Sequence, residues 1–200
     1  MSALTKKRLQ LLGLIFLFVG PLSVAAWLYY GDSGWRPGGS TSHGDLMQPA
    51  VPLPQLELRT AEGSGLGTDA LRGKWTLVYI GAGDCAEPCR EALYNLRQVR
   101  LALGKDMGRV QRLFFYRGAC CDEEFFATEH PDLFLASADP ETRAALLAVF
   151  PTYNGIAAEN AGRSYLVDPL GNLMMSYPAD AAPKGMLKDL KRLLRLSHIG

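Results

Sequence analysis

The pattern of apolar and polar positions divides the chain into three stretches. Residues 9–30 (LQLLGLIFLFVGPLSVAAWLYY) carry no charge, and only Gln10 and Ser23 have polar side chains. A run of about 20 such residues suffices to span a bilayer as a helix. Residues 31–54 are rich in Gly, Ser and Pro and have little apolar periodicity, which reads as a linker. From residue 55 onward, short strand-like and helix-like patterns follow one another, as in a folded domain. Leu56–Arg59 alternates as a first strand, Ala61–Gly65 reads as a turn, and Thr68–Leu71 as a short helical turn.

Trp75–Ile80 is a β-branched and aromatic run bounded by glycines, the pattern of a fully buried strand. Leu93, Leu96, Val99, Leu101 and Leu103 then recur at roughly helical spacing, and Arg109–Tyr116 is apolar enough for a second central strand. Strand, helix and strand imply a right-handed crossover and a parallel pair. Glu123–Thr128 reads as a short helix, and Asp139–Phe150 as another, opened by an Asp139 N-cap, Pro140 and Glu141. Phe150–Gly162 is irregular. Tyr165–Val167 and Leu173–Tyr177 form a hairpin pattern around Asp168-Pro169-Leu170-Gly171-Asn172, and Gly185–Leu196 closes as an amphipathic helix whose basic face reads as solvated. This order is that of an α/β, thioredoxin-like domain, with a central sheet flanked by helices and one N-terminal transmembrane helix before it.

Charge refines the picture. Lys6, Lys7 and Arg8 account for three of the 21 basic residues, and no acidic residue precedes Asp32. Basic residues on the short side of a membrane helix keep that end in the cytoplasm. Trp27, Tyr29 and Tyr30 stand where an interfacial aromatic belt belongs. The expected organisation is a cytoplasmic tail at 1–8, an anchor at 9–30, a linker at 31–54 and a domain at 55–200. The chain is then a single-pass inner-membrane protein with its C-terminal domain in the periplasm. Ser23-Val24-Ala25 also makes a passable signal-peptide cleavage site. Both readings export the domain. No basic stripe with interleaved aromatics occurs, so no nucleic-acid partner is expected. Hydrolase elbows, phosphate loops and dinucleotide fingerprints are likewise absent from the sequence.

The candidate chemistry lies in four cysteines. Cys85 and Cys89 fall where the first central strand hands over to its helix, and a helix start favours thiolate. In an oxidising compartment a Cys-x3-Cys closes almost no loop and makes a poor structural staple. Residues i and i+4 of a helix have Cβ atoms about 5–6 Å apart, so this pair can hold Cu(I) as a soft dithiolate or cycle through a disulfide. Arg90 would promote thiolate, and Asp84 and Glu87 would oppose it. Cys120 and Cys121 sit in the loop after the second central strand, on the same sheet edge. They read as extra soft ligands, as a resolving disulfide with Cys85 or Cys89, or as incidental loop residues. His43 reads as a linker residue and His130 as a loop or helix-end residue; His198 receives no role.

The chain resembles the Sco/SenC family of membrane-anchored, thioredoxin-like proteins that assist copper insertion into cytochrome c oxidase. The resemblance rests on the single anchor, the His43-Gly44-x-Leu46-x-x-Pro49 lead-in and Gly73-Lys74-Trp75 before the strand. It rests also on Cys85 and Cys89 at the family's spacing and on Tyr165-Leu166-Val167-Asp168-Pro169-x-Gly171. It spans roughly residues 43–196. It implies a copper cofactor, Cu(I), at Cys85 and Cys89, and a partner in the copper-binding subunit of cytochrome c oxidase or another assembly factor. The two thiols would handle Cu(I) or keep copper-ligand thiols reduced. Two departures stand out. The family's metal-site histidine, just ahead of the late strand, falls at about Asn160, and Arg90 replaces the proline after the second cysteine. A metal-free periplasmic thiol–disulfide oxidoreductase, or a non-catalytic scaffold in oxidase assembly, are the alternative expectations.

Overall fold

Residues 3–30, 42–61, 63–120, 122–197 and 199 are described by the structure, a computed structural model. The chain divides at Thr41/Ser42 into two compact units. The first carries α1, Ala3–Tyr30, one unbroken helix that accommodates Pro21. Its Lys6–Tyr30 portion, 25 residues, is long and apolar enough to cross a membrane. At the usual rise it extends about 37 Å, against a hydrocarbon core of ~30 Å.

The second unit is built on an eight-stranded mixed sheet. Its strands are β1 (Asp45–Pro52), β2 (Glu57–Thr60), β3 (Gly65–Gly67), β4 (Trp75–Ala82), β5 (Val110–Arg117), β6 (Leu133–Ser137), β7 (Ser164–Val167) and β8 (Asn172–Tyr177). They lie in the order β1-β8-β7-β4-β5-β6-β2-β3. β4, β5 and β6 run parallel, and the remaining pairs are antiparallel. The helices are α2 (Glu87–Leu101), α3 (Glu123–Glu129), α4 (Pro140–Leu147) and α5 (Pro183–Leu196). The expected parallel pair is β4 and β5, in register from Trp75↔Val110 to Ala82↔Arg117.

Alternation along the central strands builds two cores. Trp75, Leu77 and Tyr79 of β4 join Val110, Phe114 and Tyr116 of β5 beneath α2 and α5. Val78 and Ile80 join Leu113 and Phe115 on the opposite face, with Leu146, Phe150 and Tyr165. α2 contributes Leu93, Leu96 and Val99, as its spacing requires, and α5 contributes Met186, Leu190 and Leu194. Burying one such side chain contributes about 1.5–3 kcal/mol. The basic residues of α5, Lys188, Lys191, Arg192 and Arg195, are exposed.

Local signals place the element ends. Asp139 caps α4 by accepting from the N–H groups of Glu141 and Thr142, both at 3.1 Å. In the β7–β8 hairpin, Asp168 Oδ1 accepts from Leu170 N and Asn172 N, and Gly171 takes φ +88°, which favours glycine.

Three strands differ from the pattern reading. Within the stretch read as linker, Asp45–Pro52 forms edge strand β1 against β8. His43 lies just ahead of it, and its docking explains the strand's position. The backbone N–H groups of His43 and Gly44 and the His43 ring all donate to the buried carboxylate of Asp189 on α5. β6 and β3 carry no clear periodicity of their own. β6 is recruited by parallel pairing to β5, and β3 by a short hairpin with β2.

Candidate functional site

The site forms where β4 and β5 end side by side. Gly83 N–H donates to Arg117 O at 2.8 Å, which locks the two outgoing loops together. The approach is so close that a Cβ at residue 83 would lie 2.3 Å from Ala119 O. Only glycine fits there. The chain then turns at Cys85, whose N–H donates to Ala82 O at 3.1 Å. Cys85 has φ +41°, a left-handed conformation rarely adopted by residues with a Cβ.

Cys85 and Cys89 are joined by a disulfide, with Cα atoms 5.1 Å apart. Ala86, Glu87 and Pro88 between them are exposed. The cysteines themselves are 2% and 7% exposed and belong to the core beneath α2. Cys89 occupies the first turn of α2, and Cys89 N and Arg90 N both donate to Ala86 O. Once reduced, a sulfur in this turn feels the positive end of the helix dipole, which favours thiolate.

Arg90 binds the surrounding pieces together. Its Nε donates to Cys85 O at 3.3 Å and one terminal nitrogen donates to Asp122 Oδ2 at 3.2 Å. Its guanidinium lies 4.4 Å from the Phe125 ring centroid. Asp122 in turn caps α3 by accepting from Phe125 N. Thus the residue that replaces the expected proline ties the disulfide loop to the start of α3.

The other candidates take distinct places. Cys120 is partly buried against the same core and is itself disulfide-bonded. Because Cys85 and Cys89 are bonded to each other, it is not joined to either. Cys121 lies outside the described residues. Asn160, at the position of the family histidine, is exposed, and its Oδ1 accepts from Arg117 at 3.0 Å. Among the described residues no group of three or more His, Cys, Asp and Glu could hold a metal ion. A reduced Cys85/Cys89 pair supplies two soft ligands at most.

His130 is the C-cap of α3 but is fully buried, beside the Phe125 and Phe126 rings. Its Nδ1 lies 3.2 Å from Arg112, a 0% exposed arginine on β5 that pairs with Asp132. Burial and the charge of Arg112 hold the imidazole down at about 4. It is a neutral structural partner in this setting. Sequence reasoning missed this cluster and the role of Asp189, since a buried polar side chain such as Arg112 or Asp189 leaves no periodic signal.

The sheet order, the crossover and the disulfide at the junction of strand and helix define a thioredoxin-like domain. The chain belongs to the family described as transmembrane-like, thioredoxin-like, C-terminal domain, which matches residues 75–197. No curated protein matches it in sequence. Among solved structures it is similar to ScoI of Bradyrhizobium japonicum with copper bound. Identity there is 24%, the match covers 71% of this chain and 99% of that one, and the TM-score is 0.57. Apo Sco1 from Thermus thermophilus is 21% identical over 78% of this chain and 99% of that one, with a TM-score of 0.63. A thiol:disulfide interchange protein of the thioredoxin family from Chlorobium tepidum TLS is 18% identical over 72% and 97%, with a TM-score of 0.52. These likenesses establish the fold.

Proposed function

We propose that this protein is a membrane-anchored, Sco-like assembly factor for cytochrome c oxidase whose working group is the Cys85/Cys89 pair. Its task is to keep the copper-ligand thiols of the oxidase's copper-binding subunit reduced. The observation that carries this reading is the disulfide between Cys85 and Cys89, in a first helical turn at the carboxyl end of a central strand. Support for an anchored, exported domain comes from one N-terminal helix long and apolar enough to cross a membrane and from Lys6, Lys7 and Arg8 at its start.

A thiolate of the reduced pair attacks a disulfide of the partner, forming a mixed disulfide and releasing one partner thiolate. The second cysteine of the pair, deprotonated, then attacks the mixed disulfide. Cys85–Cys89 closes, and the second partner thiolate leaves and takes up a proton. Two electrons pass to the partner, and a periplasmic dithiol donor returns the pair to its reduced form.

Cu(I) handling by the same two thiols is the second reading, favoured by the likeness to a ScoI with copper bound. Cys120 and Cys121 are its candidate extra ligands. The full chain in detergent, reduced without oxygen, separates the two readings. Stoichiometric Cu(I) capture from a chromophoric chelator, lost in Cys85→Ser/Cys89→Ser, supports copper handling. Reduction of an oxidised dithiol peptide without Cu(I) capture supports thiol exchange alone.

A further inference from the structure

The charges of the second unit are unevenly spread. Residues 42–200 outside α5 hold 12 basic and 18 acidic side chains, whereas α5 holds five basic residues and one acid, Asp189. That acid is buried and engaged with His43. Lys184, Lys188, Lys191, Arg192 and Arg195 are all exposed. At 3.6 residues per turn they share roughly 100° of arc, on a face turned away from the buried Met186, Leu190 and Leu194. Arg72, Arg90, Arg97, Arg100, Arg112 and Arg163 each meet a carboxylate. Among the described residues no carboxylate pairs with Lys184, Lys188, Lys191 or Arg195. Basic residues alone would make a solvated face. Here two large apolar side chains stand at its end: Leu196 is 68% exposed and Ile199 is 51% exposed.

We propose that α5 docks on a bilayer, its basic face taking anionic phospholipid headgroups while Leu196 and Ile199 enter the boundary between headgroups and acyl chains. This rests on the anchored reading given above. A cationic helix face with apolar side chains beside it suits that boundary, whereas an acidic protein surface would leave Leu196 and Ile199 without a use. Eleven residues lie between Tyr30, the end of α1, and Ser42. They span at most about 40 Å, so a bilayer holding α1 is never beyond the domain's reach. Each Lys or Arg held at an anionic surface strengthens association roughly fivefold, and the acidic remainder of the domain turns this face, rather than another, toward the lipid. Docking also sets the direction of the site. Tyr79 of β4 pairs with Ser164, and Ser164 with Tyr177 at the end of β8. α5 therefore begins on the sheet edge that carries Cys85 and Cys89. With α5 flat on the bilayer, that edge opens along the membrane surface, toward the extramembrane part of a membrane-bound partner.

The test uses the full chain in nanodiscs of phosphatidylcholine, with or without phosphatidylglycerol. Hydroxyl radicals, which carry no charge, modify exposed side chains, and mass spectrometry reads the sites. Modification of Leu196 and Ile199 is taken relative to Ile156 and Leu170, exposed apolar residues outside α5. In discs with phosphatidylglycerol this ratio should fall about threefold or more, and high salt should restore it. Lys188→Gln/Lys191→Gln/Arg195→Gln should abolish the fall with thermal unfolding unchanged. Equal ratios in the two discs would overturn the proposal and leave the face to an acidic protein partner or to solvent. A fall that persists in the triple variant would overturn it too, since the basic face would not be its cause. A chain that stays with neither disc would sink the anchored reading as well. The lipid and salt arms need no substitution, so a misfolded variant leaves the test intact.

Discussion

Gly83→Ala perturbs the site at the contact on which its assembly depends. The new methyl would lie 2.3 Å from Ala119 O, 2.9 Å from Ala119 C and 3.2 Å from Cys120 Cα. All three are backbone atoms, so no rotamer change relieves the clash and the two loops must separate. Gly83 does not have a positive φ, so the cost is one of contact rather than of backbone conformation. Overpacking of this kind costs about 1–3 kcal/mol. Loss of the Gly83–Arg117 hydrogen bond adds about 0.5–1.5 kcal/mol. For a domain of this size each 1 kcal/mol lowers Tm by about 2–4 °C, so a fall of roughly 3–18 °C is expected. Thermal unfolding of the disulfide-intact chain reads this directly. Gly108→Ala is the control, because a Cβ there meets nothing within 4 Å, and it should change stability by no more than ~0.5 kcal/mol. Equal Tm values for Gly83→Ala and Gly108→Ala would refute the claimed close approach of the two loops.

Further outcomes follow from the buried polar groups. Asp189→Ala removes the acceptor of two backbone N–H groups, the His43 ring and the Tyr177 hydroxyl. Stranding such donors costs about 1–3 kcal/mol for each one left buried without a partner. The urea midpoint should drop and proteases should nick near residues 42–52; an unchanged midpoint would count against the docking of this segment. Stability should also fall in acid. The folded chain holds His130 at about 4, against an ordinary 6.5. It therefore binds fewer protons than the unfolded chain between those values, and its stability rises with pH across that window. Asp132 acts in the same sense. Burial raises its carboxyl pKa, but the charge and hydrogen bond of Arg112 lower it further, so its contribution is lost as pH falls. His130→Asn should flatten the loss between about pH 6.5 and 4.5. A slope equal to wild type would contradict this assignment.

Much of this arrangement is legible in the residues themselves. The Trp75–Ile80 run, buried on both faces, and the Leu93/Leu96/Val99 stripe leave one reading for the strand, the helix and the Cys85/Cys89 junction. Asp139-Pro140-Glu141 and Asp168-Pro169-Leu170-Gly171-Asn172 carry their own capping and turn chemistry, and both elements appear where that chemistry puts them. β1 was hidden because Pro49 and Pro52 break its strand pattern and its place is set by Asp189, well over a hundred residues away in the chain. β6 is short and becomes a strand through its pairing with β5. Arg112, His130 and Asp132 were hidden for a related reason. Charged and polar residues in a strand or loop read as exposed, and only the tertiary fold buries Arg112 and His130, the latter beside the Phe125 and Phe126 rings. At the site, the spacing of Cys85 and Cys89 announced the pair, while the role of Arg90 as a bridge depends on α3 lying beside α2.

The central claim is that Cys85–Cys89 is a working redox couple and not a staple. Equilibration of the full chain in detergent against graded dithiol buffers, with alkylation and mass readout at Cys85 and Cys89, tests it most directly. The expected result is reversible two-electron titration in the range of redox-active pairs, above about −300 mV, abolished in Cys85→Ser/Cys89→Ser. A pair that stays oxidised in buffers poised below about −300 mV would behave as a structural disulfide and would contradict the proposed function.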